Sequence, residues 1–213
     1  MIEKEGLIQT EKGLALCLEG QMIQGDFVKM AKRLTHANLS HELLVKACKI
    51  KNADAPLTII DATAGLGEDA LLLAAAGHNI ILYERDEIIA ALLEDTIKRA
   101  MKDASLSSIV TRMELHKEDS ITALHKLTFS PDIIYLDPMF PKREKTGLVK
   151  KKFQVIHVIE KPCEDEESLL SAALSAGPKR IVIKRPLKAE YLANKKPSYS
   201  IEGKSIRYDC IVL

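Results

Sequence analysis

From about Pro56 onward, short apolar runs alternate with stretches of helix-favouring composition. The runs are Leu57 to Ala62, Asn79 to Tyr83, Thr111 to His116, Asp132 to Leu136 and Arg180 to Ile183. They read as buried strands of a parallel sheet covered on both faces. Between them, Asp69 to Ala76, Glu87 to Met101, Ser120 to Leu127 and Ser168 to Ala176 read as helices. Gly77 and Gly177 stand where two of these helices should stop. Ser198 to Leu213 carries two apolar runs flanking Glu202-Gly203-Lys204, which predicts a terminal antiparallel hairpin. The pattern therefore predicts an α/β fold of the doubly wound kind. Five parallel strands closed by a hairpin are the expected sheet.

The first fifty-odd residues break this rhythm. Leu14 to Leu18 and Gln21 to Val28 predict a small β element, and the region from His41 to Lys49 reads as helical. The expected organisation is an N-terminal extension over residues 1–55, packed on a catalytic domain over residues 56–213.

Composition narrows the class. A chain of 213 residues, 46% hydrophobic and 29% charged, buries a full core without staples. No apolar run is long enough to span a bilayer. Met1 to Glu5 carries acids and lacks an apolar secretory core, so the cytoplasm is the expected compartment. Cys17, Cys48, Cys163 and Cys210 are far apart, and only His36 and His41 are close among the histidines, so no metal site is expected. The net charge of +1 is small, but the positive charge is segregated. Lys142, Arg143, Lys145, Lys150, Lys151 and Lys152 fall in one stretch whose one acid is Glu144, while Glu164 to Glu167 is acidic throughout.

The candidate chemistry sits at the ends of the predicted strands. The first strand runs into Asp61-Ala62-Thr63-Ala64-Gly65-Leu66-Gly67-Glu68-Asp69 and a helix. Gly65 and Gly67 allow backbone angles closed to other residues beside the open amides of a helix N-terminus, a cradle for a ligand's carboxylate or ribose. A plain strand-to-helix turn also uses glycine, so context decides. Glu84, at the end of the second strand, is placed to accept hydrogen bonds from both ribose hydroxyls. Asp119 or Ser120, after the third, reaches an adenine amino group or caps the next helix. A dinucleotide would fit Gly65, Gly67 and Glu84 almost as well. Asp61 argues against it, since an acid there repels a pyrophosphate, yet it can orient the loop or approach the ammonium group of S-adenosylmethionine.

The fourth strand delivers Asp137-Pro138-Met139-Phe140-Pro141, close to the Asp/Asn-Pro-Pro-aromatic loop of enzymes that methylate planar amino groups. Such a nitrogen is a poor nucleophile because its lone pair is delocalised. Acceptors aimed at its hydrogens, here the Asp137 carboxylate and a main-chain carbonyl near Pro138, stabilise the positive charge that develops as methyl arrives. Phe140 is placed to stack on the base. The basic stretch after this loop, with Lys184 and Arg185 at the end of the fifth strand, is expected to meet substrate phosphates.

These segments, Asp61 to Ala70, Glu84-Arg85, Tyr135 to Pro141, Leu148 to Lys151 and Val182 to Pro186, together resemble the ribosomal RNA small subunit methyltransferase J family. The resemblance covers Ile59 to the C-terminus well and the preceding region loosely. It implies a Rossmann-like class I S-adenosylmethionine-dependent methyltransferase fold with a mainly parallel seven-stranded sheet. It also implies methyl transfer to N2 of a guanine in bacterial 16S ribosomal RNA, guanine 1516 being the family target, with that RNA or the small ribosomal subunit as partner. Carried over by position, the family's cofactor contacts fall on Glu68, Asp69, Glu84, Arg85, Asp119, Ser120 and Asp137. One departure stands at Thr35 to Ser40, where a glycine-rich segment would be expected. DNA adenine-N6 or cytosine-N4 methylation, a non-catalytic cofactor-binding RNA protein and a nucleotide-dependent oxidoreductase remain open from the residues alone.

Overall fold

The computed structural model describes residues 6–18, 20–53, 56–138 and 165–213. A seven-stranded sheet forms its centre. Its strands are β4 (Thr58–Asp61), β5 (Asn79–Tyr83), β6 (Met113–His116), β7 (Ile133–Leu136), β8 (Arg180–Pro186), β9 (Tyr199–Glu202) and β10 (Ile206–Val212). They lie in the order β6-β5-β4-β7-β8-β10-β9. The first five pair in parallel, whereas β10 runs antiparallel to both β8 and β9. The expected α/β class, parallel core and terminal hairpin are all present.

Burial explains why the central strands read as unbroken apolar runs. Ile59, Ile60, Ile133, Ile134, Tyr135 and Leu136 are at most 1% exposed because layers cover both faces of the sheet. Helix α3 (Glu68–Ala75) is buried from Ala70 through Ala74. Helix α4 (Glu87–Ala100) begins where Asp86 accepts hydrogen bonds from the amides of Ile88 and Ile89. On the other face, α6 (Ser120–His125) packs against α7 (Glu166–Ser175).

The N-terminal region forms an antiparallel sheet of β1 (Gly6–Thr10), β2 (Gly13–Leu18) and β3 (Gln21–Ile23). Strand β1 was not anticipated, and β3 is shorter than the expected run to Val28. It stops because Asp26 caps a 3-10 helix over Phe27–Met30. Two short helices, α1 (His36–Leu39) and α5 (Ser107–Val110), also add to the predicted set, and α2 (Leu43–Ala47) occupies the predicted helical region. The extension is fastened to α4. The Leu14 amide donates to Asp95 Oδ2 at 3.0 Å, and Arg99 Nη2 donates to the Gly25 carbonyl at 2.6 Å. Leu16, Ile23, Ile89 and Leu92 seal the joint as a buried apolar cluster.

The segment beyond β3 crosses the edge of the sheet that carries the strand ends. Phe27 approaches Gly67, and Leu43 packs so close to Gly203 that a Cβ there would lie 2.8 Å from Leu43 Cδ1. The N-terminal extension thus borders the same rim as the loops that follow β4, β7 and β8.

Candidate functional site

The turn after β4 is held by its neighbours on both sides. The Ala62 amide donates to the Tyr135 carbonyl on β7, and the Ala64 amide to the Tyr83 carbonyl on β5, each at 3.1 Å. Gly65 and Gly67 have φ of 53° and 74°, in the left-handed region that favours glycine. Gly67 is also the N-cap of α3, with no capping side chain, and a Cβ there would lie 2.6 Å from Leu93 Cδ1. The first amides of α3 therefore face the turn, with Glu68 and Asp69 in the first helical turn.

Glu84 clamps this turn from the end of β5. Its Oε2 accepts from the Gly65 amide and its Oε1 from the Asp86 amide, both at 2.9 Å. The side chain is 8% exposed, and burial raises its pKa against the lowering effect of those two amides. Each carboxylate oxygen keeps a further lone pair for a hydroxyl donor.

Asp61 serves the loop from inside. It is 1% exposed, and its Oδ1 accepts from the Thr63 amide at 3.1 Å. Burial, assisted by Asp69, Asp137 and Glu84, pushes its pKa up to about 8. Of its two expected roles, loop orientation is present in the hydrogen bond to the Thr63 amide.

The loop after β7 is tied to the same turn. The Asp137 amide donates to Thr63 Oγ1 at 2.7 Å, so the loops after β7 and β4 share one rim. The Asp137 side chain is 35% exposed, and Pro138 beside it is buried. Lys184, on β8, places its Nζ 2.9 Å from Asp137 Oδ2 and 2.6 Å from Asp69 Oδ2. The Tyr135 hydroxyl donates to that same Asp69 oxygen at 2.7 Å. Burial raises the pKa of Asp137, partly offset by Lys184. Burial works against the Lys184 ammonium, but Asp137 and Asp69 outweigh it and hold its pKa above the ordinary lysine value.

The ends of β5 and β6 are more loosely joined at Arg85 and Asp119. Arg85 lies 3.8 Å from Asp119, and both are substantially exposed. Asp119 caps α6 by accepting from the Thr122 amide at 3.0 Å, so the helix-cap role expected of it is present. Ser120 is buried at the start of that helix.

The predicted phosphate contacts at the end of β8 require correction. Lys184 is committed to Asp69 and Asp137. Arg185 is 4% exposed, with Nη1 3.2 Å from Glu166 Oε1 and Nε donating to the Glu190 carbonyl at 2.9 Å. Both charges are answered within the fold by carboxylates and a carbonyl of neighbouring elements. Phe140, Lys142, Arg143, Lys145, Lys150 and Lys151 lie outside the described residues. Thr63 and Tyr135 escaped the sequence reading. A hydroxyl two positions after a strand-end acid was the available signal for Thr63, but its partner is 74 residues away.

A family model described as SAM-dependent methyltransferase matches residues 3–213. The chain is 41% identical to a protein of Thioalkalivibrio sulfidiphilus and 42% identical to one of Stutzerimonas stutzeri, both named ribosomal RNA small subunit methyltransferase J. These matches span 97% and 98% of this chain, respectively, and 84% of each relative. The crystal structure of a SAM-dependent methyltransferase from Neisseria gonorrhoeae aligns at a TM-score of 0.78 with 32% identity, covering 100% of this chain and 85% of that one. An rRNA methyltransferase from Streptomyces viridochromogenes aligns at 0.54 with 15% identity, over 84% of this chain and 85% of its own, a likeness of fold alone.

Proposed function

The chain belongs to the SAM-dependent methyltransferases, in the ribosomal RNA small subunit methyltransferase J family, and from that membership we propose that it methylates N2 of a guanine in 16S ribosomal RNA, guanine 1516 by the family's assignment. The observation that carries this reading is the hydrogen bond joining Asp137 to Thr63, which sets Asp137, the acceptor in this reading, beside the glycine turn.

The turn fits the cofactor. Gly65 and Gly67 open the backbone, Glu84 retains acceptor capacity at the rim, and Glu68 and Asp69 put acids beside the open amides of α3. When bound, S-adenosylmethionine supplies an electrophilic methyl group on a sulfonium. Glu84 would hold the ribose and Arg85, Asp119 and Ser120 the adenine side of that cleft. On the substrate side, a guanine turned out of its stack presents N2 to Asp137 and to a carbonyl near Pro138. Those acceptors would receive hydrogen bonds from the two amino hydrogens while the nitrogen takes the methyl group that the sulfonium would release, and the methylated nitrogen would then lose one of those two protons to solvent. Phe140 would stack on the base, while Lys142, Arg143, Lys145, Lys150 and Lys151 would neutralise its flanking phosphates.

Residues 56–213 are read as the transfer domain and residues 1–55 as its extension. The cytoplasm is the proposed compartment. Among the described residues, no helix is long and apolar enough to cross a membrane and no cluster of metal-ligand residues occurs.

Incubation with methyl-labelled cofactor and undermethylated small subunits or naked 16S RNA, followed by digestion to nucleosides, tests the assignment. Label recovered as N2-methylguanosine is the expected product. Label on adenine N6 or cytosine N4 would overturn it.

A further inference from the structure

Lys184 was expected on the RNA side of the protein, and its actual position gives it a different task. It lies 25% exposed between two carboxylates contributed by separate elements, Asp69 from α3 and Asp137 from the loop after β7. We propose that Lys184 is a positioning residue for methyl transfer, gripping Asp137 from β8 so that its carboxylate stays ionised and aimed as an acceptor for the substrate amino group. The proposal rests on the amino-methyltransferase reading of the site.

The charges around this lysine explain why it is needed. Among the described residues, Asp137 is faced by Asp69 on α3, Lys184 and Arg185 on β8, and its own strand neighbour Tyr135 on β7. Asp61 on β4 and Tyr208 on β10 border the same group, and Glu42 of the N-terminal extension acts on Tyr208. Asp69 and Asp137 are the two carboxylates that meet the lysine directly, sharing its one ammonium at 2.6 and 2.9 Å.

Without Lys184, Asp137 would lose the cation that offsets the rise in its pKa caused by burial and by Asp69, and would take up a proton more readily. Asp69 would still have the Tyr135 hydroxyl as donor. A protonated Asp137 gains an O–H donor and loses acceptor capacity where the amino hydrogens need it. The lysine also fixes direction, because an Nζ anchored on Asp69 holds Asp137 Oδ2 from behind.

The test compares wild type with Lys184→Met and Lys184→Arg, by kcat across pH and by carbon-detected NMR titration of the Asp137 carboxyl. Lys184→Met should move the acidic limb of the kcat profile to higher pH, in step with the Asp137 titration midpoint, a one-unit move lowering kcat by up to about tenfold on the acid side of the limb. Activity should recover at higher pH, and Lys184→Arg should restore most of it at pH 7. An unchanged Asp137 midpoint, or a loss equal at all pH values, would overturn the proposal. Should the methionine variant fail to fold, Lys184→Gln carries the same comparison. A wild-type protein that methylates no RNA would defeat the functional reading instead, and the titration would still decide what Lys184 does to Asp137.

Discussion

Thr63 Oγ1 accepts a hydrogen bond from the Asp137 amide at 2.7 Å, although the two residues are 74 positions apart. Strand pairing brings them together: β4 and β7 are neighbours, with Asp61 in register with Tyr135. The loops leaving these strands therefore begin side by side, and the hydroxyl joins them.

Replacing Thr63 with Val keeps the shape and removes the acceptor. The orphaned Asp137 amide costs about 1–2 kcal/mol, which corresponds to roughly tenfold in kcat if the loop position matters in the transition state. Thr63→Ser should stay close to wild type. Steady-state kinetics on both variants, with S-adenosylhomocysteine affinity as control, checks this; a fully active Thr63→Val would remove the loop tie from the account.

Asp61 imposes a pH dependence on stability. Its pKa rises from 3.8 to about 8 on burial, so the folded protein keeps a proton that the unfolded chain releases. The stability linked to that proton is fully present below about pH 4 and is lost as pH climbs through 8. Asp61→Asn retains an acceptor for the Thr63 amide and does not titrate. Its melting temperature relative to wild type should therefore improve from pH 5 to about pH 8 and level off above it. A constant difference across that range would contradict the assignment.

Gly67→Ala should weaken both fold and ligand turn. The residue has φ of 74°, and a Cβ would collide with Leu93 Cδ1. The left-handed conformation alone costs an alanine about 1–2 kcal/mol, before Leu93 moves. A lower melting temperature together with weaker S-adenosylhomocysteine binding is expected by calorimetry. Wild-type values for both would mean the turn tolerates a side chain and relaxes freely.

Much of the framework is written locally in the chain. Strand β5 matches its apolar run from Asn79 to Tyr83, and α4 starts at Glu87 because Asp86 is a ready N-cap. Strand β1 was missed because Gly6–Thr10 has one partner strand and buries no residue fully, which leaves little alternation to read. The site divides in the same way. Glu84 and Asp137 are legible as acids at strand ends, where an open parallel sheet places its ligands. The role of Lys184 is not, since its partners lie 115 and 47 residues away and the same Lys-Arg-Pro sequence serves equally well on an exposed rim. Long-range charge pairing turned that residue inward.

The central claim is that the loops after β4 and β7 form one methyl-transfer site with Asp137 as its acceptor. Single-turnover transfer of labelled methyl to undermethylated small subunits by Asp137→Ala, alongside its affinity for S-adenosylhomocysteine, tests this most directly. Transfer at least about a hundredfold slower is expected, from an acceptor worth roughly 3 kcal/mol in the transition state, with a folded protein that still binds the cofactor product. Transfer at the parental rate would contradict it.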